Sequence, residues 1–182
     1  MTGNWQADPL SWGRGQRRFE VFLEPTCPYS ARAFGKLWDF LALVGEERVT
    51  LHVRLLSQPW HLFSGVVTRG ILAASTTPGG KEAARAVMRA VYDHREEFEF
   101  EDHCCGPNLD ATPNQIIERM EDYSGLPFAE AFALPGLERA TILHCKYARQ
   151  NGIHVSPTFM IDGIVAPGLG SGDSIEDWAA KL

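Results

Sequence analysis

The chain has 182 residues, with 17 basic and 23 acidic side chains and a net charge of −6 at neutral pH. That length suits one domain, or one domain with a large insertion, and it allows a sizeable buried core. The acidic balance argues against nucleic acid and anionic membranes as partners, and no apolar run is long enough to span a bilayer.

Residues 1–17 read as an N-terminal arm, pinned to the body by Trp5 and Trp12, ahead of a domain over 18–182. Residues 1–6 are polar and contain no apolar signal core, so a cytoplasmic location is expected. A first strand runs through the apolar residues 19–23. A helix over 28 to about 44 follows, with Phe34, Leu37, Trp38, Leu41 and Val44 on one face and Arg32, Lys36 and Asp39 on the other. A second strand covers 49–56 and ends at Gln58-Pro59-Trp60.

The pattern then turns helical for a long stretch. Ala84, Val87, Met88, Val91 and Tyr92 recur at helical spacing within 81 to about 98. An acidic loop over 96–102 leads to His103-Cys104-Cys105-Gly106-Pro107. Thr112-Pro113-Asn114-Gln115 is a capping box that opens a helix to about 123. Another helix covers about 135–150 and stops at Asn151-Gly152. Residues 158–161 and 164–166 read as a hairpin turned by Asp162-Gly163. Ser174-Ile175-Glu176-Asp177 caps a last short helix.

The chemistry concentrates at Thr26-Cys27-Pro28-Tyr29-Ser30, directly after the first strand. A helix N-terminus favours negative charge and so the thiolate of a cysteine placed there. Proline fits the first helical position because its missing N–H would lack a partner there anyway. Ser30 falls one turn on from Cys27 on the same face. It is either a small packing residue or a hydroxyl that donates to the sulfur. Glu24, three residues before Cys27, would disfavour the thiolate if it points inward.

Cys-Pro after the first strand, Val155-Ser156-Pro157-Thr158 before the third, and the element order resemble the thioredoxin fold in its DsbA-like form. The fold class implied is α/β, thioredoxin-like, with an inserted helical subdomain over about 60–150. The resemblance implies a cis bond at Pro157, facing the cysteine and offering backbone groups to an extended peptide. Dithiol members of that family carry cysteine where this chain has Ser30, so an internal disulfide between positions 27 and 30 is ruled out. Pro28-Tyr29-Ser30 also resembles the motif of kappa-class glutathione transferases and 2-hydroxychromene-2-carboxylate isomerases, which raises glutathione as a partner.

Three functions follow. The first is a monothiol thiol–disulfide oxidoreductase, resembling a protein-disulfide isomerase, that acts on protein or glutathione disulfides through Cys27 and Ser30. Pro28, Tyr29, His61, Ser156, Pro157 and Thr158 hold the substrate. Glutathione is the expected co-substrate, and no tightly bound cofactor is expected. The second is a glutathione-dependent transferase or isomerase, and the third a non-catalytic module that binds extended peptides at Pro157. The other thiols read as bystanders. His103, Cys104 and Cys105 have poor spacing for a tetrahedral ion, so no metal site is expected. Four cysteines are too few for a disulfide scaffold and read as thiols in a reducing compartment. Cys145 sits at the margin of its helix, either inert or a distant resolving thiol, and His144 on the apolar stripe reads as a hydrogen-bonded core histidine. Trp60 is either core or site, and His61 either contacts a ligand or tunes the cysteine. The oligomeric state stays open, a homodimer included.

Overall fold

The structure is a computed structural model that describes residues 9–100, 105–106 and 108–182. A five-stranded sheet forms its centre, built from β1 (Ser11–Gly13), β2 (Arg17–Leu23), β3 (Val49–Leu55), β4 (Thr158–Ile161) and β5 (Ile164–Val165). The spatial order is β1-β3-β2-β4-β5. β2 and β3 run parallel, with Phe19 opposite Leu51, and the other pairs are antiparallel. β2 is the middle strand, which accounts for its nearly unbroken apolar run, since both of its faces are covered.

Strand alternation sorts the side chains into two layers. Phe19, Val21, Leu23, Leu51, Val53 and Leu55 join the main core with α1 (Pro28–Val44). The same core takes in α2 (Ser64–Ala74), α3 (Gly80–Asp93), α4 (Pro113–Ser124) and α6 (Ile175–Ala179). α1 buries Phe34, Leu37, Phe40 and Leu41 on one stripe, each contributing about 2 kcal/mol by removal from water. Phe22 and Met160 point to the opposite face, where they meet Ala148 of α5 (Leu137–Gln150).

That second face is polar at its centre. Glu20 is fully buried on β2. Arg54 donates to its Oε1 from Nε at 2.9 Å and Nη2 at 2.8 Å, and the Tyr147 hydroxyl donates to Oε2 at 3.1 Å. The Leu55 N–H donates to His144 Nδ1 at 3.0 Å, so α5 supplies a partner to a β3 amide. His144 is thus the hydrogen-bonded, inward histidine that its place on the apolar stripe implies. Burial, and Arg54 beside it, push its pKa down to about 4.

Several boundaries differ from the sequence reading. The expected arm joins the sheet from Ser11, as edge strand β1. Leu10 and Trp12 are buried, the Val53 N–H donates to the Leu10 carbonyl at 2.9 Å, and the Trp12 indole N–H donates to Glu82 at 2.6 Å. An uncovered edge of β3 would leave such groups unpaired, so the segment is recruited to it. Gly15 makes the approach feasible, because a Cβ there would lie 2.0 Å from the Val49 nitrogen. Trp5 lies outside the described residues. The helix expected over 81–98 stops at Asp93, and Arg95–Phe98 forms a separate 3-10 turn. α5 starts at Leu137 rather than at 135, because Gly136 with φ 103° is its N-cap. No helix among the described residues is long and apolar enough to cross a membrane.

Candidate active site

β2 ends at Leu23, and the chain turns through Glu24, Pro25 and Thr26 into α1. The Cys27 N–H donates to the Glu24 carbonyl at 3.3 Å, which closes the turn. Cys27 is the N-cap of α1, with φ −77° and ψ 130°, and Pro28 takes the first helical position. No side-chain oxygen caps this helix, so the cysteine has its N-terminus to itself. The thiol is buried, with 7% exposure, and Sγ lies 3.8 Å from the Ser156 carbonyl oxygen. The Ser156–Pro157 bond is cis. The 3.8 Å approach shows that the loop before β4 faces Cys27, bringing positions 27 and 156 together across 129 residues of chain.

The sequence-predicted residues do not all lie as expected. Pro28 and Tyr29 are exposed beside the thiol, and Ser156, Pro157 and Thr158 are half-buried. The Thr158 hydroxyl donates to the Val155 carbonyl at 2.7 Å, bracing its own loop. Ser30 is fully buried, and its Oγ accepts the Glu24 N–H at 3.2 Å. No hydrogen bond from Ser30 to the Cys27 sulfur is found among the described residues, and the hydroxyl instead stitches the first turn of α1 to the end of β2. Trp60 is 62% exposed and so is not core. It stands with Leu62, Tyr29 and Val155 among the exposed apolar side chains of the segments bordering Cys27.

Beneath the cysteine lies a polar chain that the sequence only hinted at. Glu24 points inward and is fully buried. Its Oε2 accepts from the Thr26 N–H at 2.8 Å and from Thr26 Oγ1 at 2.9 Å. Thr26 Oγ1 also lies 2.9 Å from His61 Nδ1, and His61 Nδ1 is 3.5 Å from Glu24 Oε2. Glu24 Oε1 is sealed from solvent without a hydrogen bond of good geometry. Burial raises the Glu24 pKa above the usual carboxylate range, while the Ser64 hydroxyl, His61 and Thr26 pull it back. Tyr92 closes the floor from α3, its hydroxyl donating to the Glu24 carbonyl at 3.1 Å. Burial, with Glu24 and Cys27 beside it, drives the phenol well above its ordinary value. Gln58 links the two loops, its side-chain N–H donating to the His154 carbonyl at 3.0 Å. Glu24 was visible in the sequence only as a carboxylate near Cys27 and Thr26 only as part of the Cys27 motif, while Gln58 and Tyr92 carried no signal that marks a site.

Two other cysteines are described. Cys105 is exposed in its loop, and Cys145 is half-buried on α5, where it lines a groove with Ser57, Pro59 and Arg149. His103 and Cys104 lie outside the described residues. No cluster of three or more His, Cys, Asp or Glu able to hold a metal ion occurs among the described residues.

No family model and no curated protein matches the chain. A solved structure does so closely. A candidate protein-disulfide isomerase from Pseudomonas syringae is 67% identical over 96% of this chain and 97% of its own, with a TM-score of 0.94. The chain belongs to the DsbA-like thioredoxin-fold family. More distant members share the fold. DsbA2 of Pseudomonas aeruginosa is 18% identical, covering 98% of this chain and 97% of its own, with a TM-score of 0.63. The thiol-disulfide exchange protein alpha-DsbA2 of Wolbachia pipientis is 14% identical, covering 96% and 84%, with a TM-score of 0.71.

Proposed function

We propose that the protein is a thiol–disulfide oxidoreductase that works with one active-site thiol. The observation that carries this reading is Cys27 at the N-cap of α1, 3.8 Å from the Ser156 carbonyl, with serine rather than cysteine one turn on. The oxidoreductase chemistry is supported by the 67% identical relative described as a candidate protein-disulfide isomerase. The Cys27 thiolate attacks one sulfur of a protein or glutathione disulfide. That S–S bond breaks, the far sulfur leaves as a thiolate, and a mixed disulfide joins Cys27 to the near one. Ser30 cannot release it. A thiolate from solution, glutathione being the natural candidate, attacks the mixed disulfide and frees Cys27. A reducing, cytoplasmic compartment is the setting that supplies such a thiol. The exposed apolar side chains of Tyr29, Trp60, Leu62 and Val155, on the segments that carry Cys27, His61 and Pro157, suit an extended, partly apolar peptide lying against the Pro157 loop.

Intact-mass analysis with peptide mapping, after incubation with oxidised glutathione, tests the reading. A single glutathione adduct is expected to form first on Cys27 and to vanish in Cys27→Ser. Tight non-covalent glutathione with Cys27 free would favour the transferase or isomerase reading. Neither adduct nor binding would leave the peptide-binding module.

A further inference from the structure

An enzyme with one active-site thiol has a need that a dithiol enzyme lacks. Its resolving thiol arrives from solution and must lose a proton. A free thiol with a pKa of about 8.5 is only a few per cent thiolate at pH 7. The polar chain under Cys27 has the arrangement of a base held by a third group. Thr26 Oγ1 has a single proton and lies 2.9 Å from both Glu24 Oε2 and His61 Nδ1. Donating that proton to the carboxylate leaves the hydroxyl oxygen to accept from His61 Nδ1–H. With Glu24 ionised this sets the tautomer: Nδ1 carries its proton inward, and Nε2 is the basic nitrogen. The His61 side chain is 21% exposed, whereas Glu24 is completely enclosed, so His61 is the member of the chain that meets solvent. Glu24 Oε2 lies 3.5 Å from His61 Nδ1, within ion-pair distance of a protonated ring.

We propose that His61, oriented by Thr26 and Glu24, takes the proton from the external thiol that resolves the Cys27 mixed disulfide. The inference rests on the single-thiol reading above. The incoming R–S–H gives its proton to His61 Nε2. The resulting thiolate attacks the sulfur bonded to Cys27, forming a new disulfide as the bond to Cys27 Sγ breaks. Cys27 leaves as a thiolate, reduced, while the incoming thiol is oxidised. The proton returns to water from the exposed edge of the ring. Among the described residues, the titratable groups around this chain are Glu24 and Cys27 at the β2–α1 turn and Tyr92 from α3, with the Ser64 hydroxyl of α2 acting on Glu24.

The test uses His61→Gln, which keeps a donor for Thr26 but cannot take up a proton. Two rates are compared with wild type across pH 6 to 10: alkylation of Cys27 by iodoacetamide, and discharge of the Cys27–glutathione mixed disulfide by reduced glutathione. Alkylation moves no thiol proton from a second partner and is expected to stay unchanged. Discharge is expected to fall about tenfold to thirtyfold at pH 7, the upper limit being the scarcity of free thiolate there. The two discharge rates should converge above about pH 9, where the thiol ionises unaided. Thr26→Val, which cuts the link while leaving His61, should show the same convergence, and Thr26→Ser should restore the wild-type rate. Equal losses in alkylation and discharge, or a deficit that persists at high pH, would overturn the proposal, as would unchanged discharge in both His61→Gln and Thr26→Val. A wild type that forms no mixed disulfide at Cys27 at all would instead overturn the single-thiol reading and this inference with it.

Discussion

Ser30→Cys is expected to gain an internal disulfide with Cys27 and, with it, dithiol redox activity. Position 30 lies one helical turn from position 27 on the same face, so a sulfur there is a neighbour of the Cys27 sulfur. The site is fully buried, and the exchange of oxygen for sulfur changes little volume. The variant weakens one interaction, the Glu24 N–H to Ser30 Oγ bond of 3.2 Å. Sulfur is a poorer acceptor, which costs about 1 kcal/mol and leaves the core contacts of α1 intact. Under oxidising glutathione the variant should lose both free thiols, while wild type keeps a glutathione-capped Cys27. Insulin reduction with a dithiol-recycling partner should rise from near background to a readily measured rate. A folded variant with both thiols free would mean that the backbone lacks redox geometry, and the transferase or peptide-binding reading would then be preferred.

Acid is expected to destabilise the protein through His144 before most carboxylates titrate. The Leu55 N–H occupies Nδ1, so protonating that nitrogen removes the acceptor and sets a cation beside Arg54. The folded-state value of about 4 lies below the ordinary histidine value of about 6.5. Between these values the unfolded chain binds the extra proton and the folded chain does not. The contribution is therefore complete above pH 6.5 and is lost as pH falls toward 4. A shift of this size amounts to roughly 3 kcal/mol by pH 4. His144→Gln isolates the effect, since its amide oxygen can accept the Leu55 N–H without titrating. Urea unfolding from pH 7 to pH 4 should show wild type losing roughly 3 kcal/mol more than the variant. Glu24, whose raised value acts with the opposite sign in acid, is common to both proteins and cancels. Parallel pH profiles would contradict the account.

What the sequence made legible was local. The bounds of α1 follow from Pro28 at its start and Gly45, with φ 89°, just past its end. Both predicted capping boxes form, Thr112 with Gln115 and Ser174 with Asp177. The facing of Cys27 and the Pro157 loop was legible only through the family resemblance. What stayed hidden depends on partners distant in the chain. β1 has three residues and no alternation of its own, and it exists because β3 needs an edge partner. Ser30 reads in sequence either as a packing residue or as a donor to Cys27, and the bond its Oγ accepts from the Glu24 N–H depends on a turn that the sequence pattern does not show. The link of His61 to Thr26 spans 35 residues, and nothing in either segment announces it.

The central claim is that Cys27 works without an internal resolving sulfur, and the fate of a trapped mixed disulfide tests it most directly. Cys27 is coupled to a cysteine-containing peptide, small thiols are removed, and peptide release is followed by mass before and after reduced glutathione is added. The account predicts a mixed disulfide that persists without external thiol and releases its peptide once glutathione is present. Prompt release without added thiol, leaving Cys27 in a disulfide with Cys104, Cys105 or Cys145, would contradict it.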